Sequence, residues 1–183
     1  MIIYIHGFGS SGFGGKATAF REYFKSLHVD FIAPSLSYIP ELAIATLEDL
    51  IESYDDVKLM GSSLGGYYSI YLAQKYNLQA VLINPSIFPY ETLQNSIGDA
   101  PSFYDESSFK WMPSHVEMLK KYDTKEVEEK NFMLLVQTGD ELLDYKKAVN
   151  KFAEGNVHVE EGGDHGFIGI ENYFEDVKEF FRL

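Results

Sequence analysis

The 183-residue sequence contains no cysteine, no long apolar run and few basic residues. Without cysteine, the chain has neither a disulfide framework nor a thiolate metal site. No apolar run approaches the roughly 20 residues that a helix needs to cross a bilayer, so we expect no membrane partner. The N-terminal segment MIIYIHGFG lacks the basic leader and the small-residue cleavage site of a signal peptide. Together these absences favour a cytoplasmic protein.

Basic residues are outnumbered, since 15 lysines and arginines stand against 28 aspartates and glutamates, giving a formal net charge of −13. Such a surface repels phosphate backbones and anionic lipid headgroups, so we expect no nucleic-acid partner. The five histidines are scattered and show neither H-x-x-x-H nor H-E-x-x-H spacing. We therefore expect neither a metal ion nor another cofactor.

The sequence does contain ample apolar material for a core, at 45% of all residues, including 14 phenylalanines and 13 tyrosines. A chain of this length and composition predicts one compact domain over residues 1–183. Its apolar runs are short and continuous rather than alternating, as in strands that are covered on both faces. Six such runs are predicted to be strands: 2–5, 29–33, 57–60, 80–83, 131–137 and 157–160.

Segments with helical spacing lie between these runs, at 17–27, 41–54, 64–76, 145–152 and 171–181. The alternation predicts an α/β fold with a mostly parallel sheet of about six strands, right-handed crossovers and helices on both faces. Residues 86–130 break the pattern, because they contain no predicted strand and only a short helical segment near 114–122. Connections of this length in a compact domain are usually functional, as active-site lids or binding loops. We interpret 86–130 as a lid-like insertion before the fifth strand.

A serine lies where the third predicted strand meets the following helix, in the sequence GSSLG at residues 61–65. This sequence fits the G-x-S-x-G nucleophile elbow of the α/β-hydrolase fold, in which a sharp strand-to-helix turn exposes one serine hydroxyl. The glycines leave room for the turn, and the helix N-terminus stabilises negative charge. Ser63 is the predicted nucleophile because it, unlike Ser62, has glycine two residues before and two residues after it.

A serine hydroxyl is a poor nucleophile until a base removes its proton. Among the histidines of the chain, His165 follows the last predicted strand in a glycine-rich loop, GGDHG at residues 162–166. Such a loop can place the imidazole over the edge of the sheet, so His165 is the predicted base. By contrast, His28 lies in a turn, His115 in the lid-like segment and His158 within a predicted strand.

The third member of a catalytic triad should lie between Ser63 and His165, because this fold uses the chain order serine, acid, histidine. Asp140 ends the turn that directly follows the fifth predicted strand, so it is the predicted acid. Asp144 remains an alternative, although its position also suits N-capping of the next helix. Glu141 is a third candidate.

The loop after the first strand, HGFGSSG at residues 6–12, supplies the remaining part of the predicted site. In hydrolases of this type such a loop offers a backbone N–H to the developing oxyanion. We predict the N–H groups of Phe8 and Leu64 as the two donors, and we interpret His6 as holding the loop by hydrogen bonds. The glycine spacing also resembles a dinucleotide-binding loop, but no acidic residue ends the second strand to bind a ribose.

Five segments together resemble the bacterial YqiA family of small α/β-hydrolase esterases: HGFGSSG, GSSLGGYY, INPS, QTGDELLDY and EGGDHGF. The resemblance implies a serine esterase that hydrolyses carboxylic (acyl) esters, with Ser63, Asp140 and His165 at the family's triad positions. An acyl thioesterase or small amidase with the same triad is the alternative within this class. A non-catalytic binding protein with the hydrolase fold is the alternative outside it.

Overall fold

The computed structural model describes residues 1–183 and contains eight strands. In chain order they are β1 (Ile2–Ile5), β2 (Phe31–Ile32), β3 (Lys58–Ser63), β4 (Ala80–Pro85), β5 (Gly98–Pro101), β6 (Ser108–Trp111), β7 (Phe132–Gln137) and β8 (Asn156–Glu160). Six of them form a central sheet in the order β2-β1-β3-β4-β7-β8, and every pair in it is parallel. The predicted α/β architecture with a six-stranded parallel sheet is confirmed.

Seven α-helices connect or flank the strands. They are α1 (Gly15–Ser26), α2 (Pro40–Ser53), α3 (Leu64–Tyr76), α4 (Pro89–Thr92), α5 (Pro113–Lys120), α6 (Tyr145–Lys151) and α7 (Phe174–Phe181). The last helix begins three residues later than predicted, because a 3₁₀ turn at Ile170–Tyr173 precedes it. No helix of the chain combines the length and the apolar character that crossing a membrane requires.

The core consists of two apolar layers, one on each face of the sheet. Alternate strand residues point to opposite faces, so that Ile3 and Leu59 belong to one layer whereas Ile2 and Met60 belong to the other. The first layer packs against α2, α3, α5 and α6, and the second packs against α1 and α7. Because both faces are covered, the strands are apolar at nearly every position, which explains their continuous apolar runs.

The expectation that residues 86–130 contain no strand is wrong. Strands β5 and β6 pair there as an antiparallel hairpin, with Ala100 opposite Phe109 and Gly98 opposite Trp111. Only Ala100 and Trp111 of the hairpin are buried, and a glycine and a proline interrupt its apolar pattern. The hairpin therefore has too few apolar residues to give a period-two signal. The second strand is also shorter than predicted, at Phe31–Ile32.

Candidate active site

The carboxyl ends of the parallel strands meet at one edge of the sheet, and Ser63 lies there as the last residue of β3. Its backbone has φ 55° and ψ −121°, after which α3 begins at Leu64. Residues other than glycine rarely adopt this conformation, which costs about 1–3 kcal/mol and persists where the surrounding structure enforces it. The turn therefore has the strained strand-to-helix geometry of a nucleophile elbow.

Close packing of β1, β3 and α3 at the elbow requires glycine on both sides of the serine. A Cβ atom on Gly65 would lie 2.0 Å from the carbonyl oxygen of Ile5, and one on Gly61 would lie 2.3 Å from the carbonyl oxygen of Gly65. Neither position has room for a side chain. The GSSLG pattern is thus explained by the sharp turn and by the approach of α3 to β1.

The imidazole of His165 is hydrogen-bonded to the carboxylate of Asp140, with Nδ1 at 2.8 Å from Oδ2 and 3.0 Å from Oδ1. The Asp140 side chain is only 2% exposed, and its Oδ1 also accepts hydrogen bonds from the N–H groups of Leu142 and Leu143. Burial raises the pKa of Asp140, but the hydrogen bonds from His165 and these N–H groups outweigh it, so the net pKa shift is downward. Asp140 is therefore ionised and accepts the Nδ1 proton of His165.

The two rival acids do not contact the imidazole. Asp144 accepts a hydrogen bond from the N–H of Lys146 and is the N-cap of α6. Glu141 accepts a hydrogen bond from the backbone N–H of His165 rather than from its ring. Of the three candidates that the sequence left open, only Asp140 is paired with the His165 side chain.

Ser63 and His165 line the same cavity, which has a volume of about 520 Å³. No hydrogen bond joins the Ser63 hydroxyl to the His165 ring, although both face this space. Bonds of this kind are often long in the free form of an enzyme and tighten when substrate binds. No group of three or more His, Asp or Glu side chains in the chain is arranged to hold a metal ion.

The loop that follows β1 lies directly beside the elbow. A Cβ atom on Gly7 would be 3.0 Å from Ser63 Cβ and 3.5 Å from Ser63 Oγ, so the adjoining Phe8 is a neighbour of the nucleophile candidate. The Phe8 N–H donates no hydrogen bond within the chain. Its part in an oxyanion hole stays a prediction.

His6 uses both ring nitrogens to hold this loop, as expected from the sequence. Its Nδ1 donates to the carbonyl oxygen of Gly7 at 2.8 Å, and its Nε2 accepts from the N–H of Leu36 at 2.9 Å. Burial lowers the pKa of His6, although the bond to Gly7 opposes this effect. A neutral ring with both nitrogens engaged is not available as a base.

Residues 86–130 form part of the cavity wall and brace the Phe8 loop. Pro89, Leu93 and Phe103 line the cavity. The Phe8 ring packs edge-on against Phe109 and Trp111, with centroid distances of 5.3 and 4.9 Å. The inserted hairpin thus packs against the Phe8 loop beside the elbow, and the lid-like role of residues 86–130 stays a prediction.

Two buried amides that the sequence analysis missed hold the histidine loop. Asn84 Nδ2 donates to the carbonyl oxygens of Asp164 and His165, at 2.9 and 3.3 Å. Gln137 Oε1 accepts from the N–H groups of Asp164 and Ile168, and its Nε2 donates to Ile168 O. Asn84 is the second-last residue of β4 and Gln137 is the last residue of β7. The other residues of both strands are apolar, and a single polar residue in this position is the signal that identifies the two amides.

We expect Gln137→Leu to lower the free energy of unfolding by about 2–4 kcal/mol, because it leaves two N–H groups and one carbonyl group of the histidine loop without their buried partner. Chemical denaturation followed by circular dichroism measures the change. The control is Gln94→Leu at an exposed position, for which we expect a change within about 0.5 kcal/mol. Equal stabilities of the two variants would contradict the role assigned to Gln137.

Comparison with known proteins agrees with this architecture. The sequence profile of the family described as "Uncharacterised protein family (UPF0227)" matches residues 1–182. The UPF0227 protein YcfP of Salmonella paratyphi A is 26% identical over 198 aligned positions, which cover 100% of this chain and 99% of that protein.

Two solved structures share the fold. Est1E from Butyrivibrio proteoclasticus, with ferulic acid bound, superposes with a TM-score of 0.76 at 15% identity, covering 99% of this chain and 87% of that one. A monoacylglycerol lipase from Paleococcus ferrophilus gives a TM-score of 0.72 at 14% identity, covering 98% and 93%. The fold is that of the α/β-hydrolases. Because the family profile spans nearly the whole sequence, the chain belongs to the UPF0227 family, and the resemblance found in its motifs is confirmed.

Proposed function

We propose that this protein is a serine esterase that hydrolyses carboxylic esters through an acyl-enzyme intermediate. The observation that carries the proposal is the hydrogen-bonded Asp140–His165 pair, which faces the same cavity as the strained elbow residue Ser63. Activated nucleophiles are typically found with a base that a third group orients. The names of the monoacylglycerol lipase and of other fold neighbours add support at the level of reaction class.

In the proposed mechanism, His165 Nε2 removes the proton of Ser63 as the serine oxygen attacks the ester carbonyl carbon. The N–H groups of Phe8 and Leu64 donate hydrogen bonds to the oxyanion that forms. Asp140 accepts the Nδ1 proton throughout, which fixes the ring tautomer and stabilises the imidazolium ion. His165 then protonates the departing alcohol, and water releases the acid from Ser63 by the same steps.

The volume of the cavity and the apolar part of its lining suit an acyl chain. Its volume of about 520 Å³ falls within the range of small-molecule sites. Apolar side chains on its wall include Leu64, Pro89 and Leu142. Polar side chains also line the cavity, including Lys16 and Ser63. The apolar residues fit an ester whose carbonyl group lies at the elbow while its acyl or alcohol portion contacts them.

Labelling with a fluorophosphonate probe tests the proposal, because the probe forms a covalent bond with an activated serine and releases fluoride. We expect the parent protein to be labelled on Ser63, as located by fragmentation of the labelled peptide in a mass spectrometer. Ser63→Ala should lose labelling, whereas Ser96→Ala, which removes another hydroxyl from the cavity wall, should keep it. A folded parent protein that is not labelled would favour a non-catalytic binding protein.

A further inference from the structure

The hydroxyl group of Ser86 is buried without a hydrogen-bond partner. Only two side-chain polar atoms in the chain are in this situation, Ser86 Oγ and Asp164 Oδ1, and Ser86 as a whole is only 4% exposed. A buried hydroxyl without a partner destabilises the folded state, whereas alanine at the same position carries no such penalty. Unpaired buried groups are rare in folded proteins and are often found at functional sites. Ser86 lies at such a place.

Ser86 lies between the nucleophile candidate and the histidine loop. Its backbone N–H donates to the carbonyl oxygen of Ser63 at 2.9 Å. Two residues earlier, Asn84 holds the backbone of His165. Ser86 follows β4, which lies between β3, the strand of Ser63, and β7, the strand that leads to Asp140. Ser86 also lines the cavity shared by Ser63 and His165, although its Oγ is enclosed by protein in the absence of an ester. Ser86 is thus on the His165 side of the nucleophile.

An ester offers two oxygen atoms as hydrogen-bond acceptors, and the proposed mechanism uses them differently. The carbonyl oxygen becomes the oxyanion that the N–H groups of Phe8 and Leu64 bind. The alkoxy oxygen must lie on the His165 side, because His165 protonates it as it leaves. That oxygen gains negative charge while its bond to carbon breaks, and a nearby O–H donor stabilises this charge.

We propose that, when an ester is bound, the Ser86 side chain rotates about its Cα–Cβ bond and its hydroxyl donates a hydrogen bond to the alkoxy oxygen of that ester during acylation, an inference that rests on the proposed esterase function. In this step the Ser63 oxygen bonds to the acyl carbon, and the bond from that carbon to the alkoxy oxygen breaks. The Ser63 proton passes through His165 to the departing alcohol. Ser86 keeps its own proton and is unpaired only while the cavity contains no ester.

Two substrates with the same acyl group and different alcohols test this assignment: methyl butyrate and p-nitrophenyl butyrate. Methoxide is a poor leaving group that needs stabilisation and a proton, whereas p-nitrophenolate leaves without either. We expect Ser86→Ala to lower kcat/KM for methyl butyrate by about 10-fold, the effect of one hydrogen bond. For p-nitrophenyl butyrate we expect a loss smaller than about threefold, and we expect an unchanged or higher Tm.

Ser69→Ala is the matched control, because Ser69 is also buried but its Oγ donates to Gly65 O at 2.8 Å. That variant should have a lower Tm and an unchanged ratio of kcat/KM between the two esters. An unchanged ratio in Ser86→Ala, or a clear fall in its Tm, would overturn the assignment of Ser86 alone. A parent protein that hydrolyses neither ester would overturn the proposed function and this inference with it.

Discussion

We expect Ser63→Ala to lower kcat/KM for p-nitrophenyl butyrate by about 10³-fold or more. The substitution removes the hydroxyl group that the elbow presents beside the Phe8 loop, so no acyl-enzyme can form. The oxyanion donors and the cavity stay in place, and they account for whatever rate remains above that of water. Alanine has the same backbone restrictions as serine, so the strained turn is neither relieved nor worsened. The fold should therefore be retained.

Steady-state hydrolysis followed by absorbance measures this effect, and thermal unfolding monitored by circular dichroism verifies that the variant is folded. Ser96→Ala is the matched control, since it removes a hydroxyl from the wall of the same cavity without touching the elbow. We expect its kcat/KM to stay within about twofold of the parent value. If Ser63→Ala hydrolysed the ester as fast as the parent protein, another residue would have to be the nucleophile.

The sequence predicted the parallel sheet and the elbow because both depend on local patterns. Strands covered on both faces are continuously apolar, so the central strands were identifiable even where their ends were not. The elbow has no room for side chains at positions 61 and 65, so both must be glycine. This requirement is visible in the sequence as the pattern GSSLG. Because parallel strands have their carboxyl ends at one edge of the sheet, the sequence predicted that Ser63, Asp140 and His165 lie in the same region.

The hairpin of β5 and β6 could not be predicted by the same reasoning. Its inward side consists mainly of Ala100 and Trp111, too few residues to establish a period of two. The hairpin is held instead by contacts that are distant in sequence, such as the Phe8 ring against Trp111 and the Phe103 N–H bonded to Gly9 O at 2.7 Å. Contacts of this type do not produce a regular spacing of apolar residues in the sequence.

The roles of Asn84 and Gln137 also depend on distant contacts. Each is a single polar residue at the end of an apolar strand, and the sequence alone does not say which backbone groups it will meet. In the structure both reach the loop that contains His165, about 30 or 80 residues away in the chain. Asn84 and Gln137 thus hold the backbone of the loop that contains His165, whereas Asp140 orients its imidazole ring.

The choice among the three candidate acids was open in the sequence, and it leads to the second large expected effect. We expect Asp140→Asn to lower kcat for ester hydrolysis by about 10²–10⁴-fold. Asparagine has nearly the same shape, but it has no charge to stabilise the imidazolium ion. Its amide can also donate to Nδ1, which favours the tautomer with a proton on Nε2, the atom that must act as the base.

The same substitution should change how stability depends on pH. In the folded state the pKa of Asp140 lies below its usual range, because the hydrogen bonds from His165, Leu143 and Leu142 outweigh the opposing effect of burial. The ionised form is therefore stabilised by folding. This contribution is present above the unfolded-state pKa of about 4 and is lost as the pH falls through the lower folded-state value. Denaturant unfolding at a series of pH values should show a shallower acid dependence for Asp140→Asn than for the parent protein.

Asp144→Asn is the matched control for the loss of activity. It makes the same chemical change four residues away, at the N-cap of α6, where asparagine caps as well as aspartate. Its kcat should stay within about twofold of the parent value, and its free energy of unfolding should change by only a few tenths of a kcal/mol. A larger loss of kcat in Asp144→Asn than in Asp140→Asn would transfer the role of the acid to Asp144. It would also require the loop after β7 to rearrange on substrate binding, because Asp144 does not contact the imidazole in the free protein.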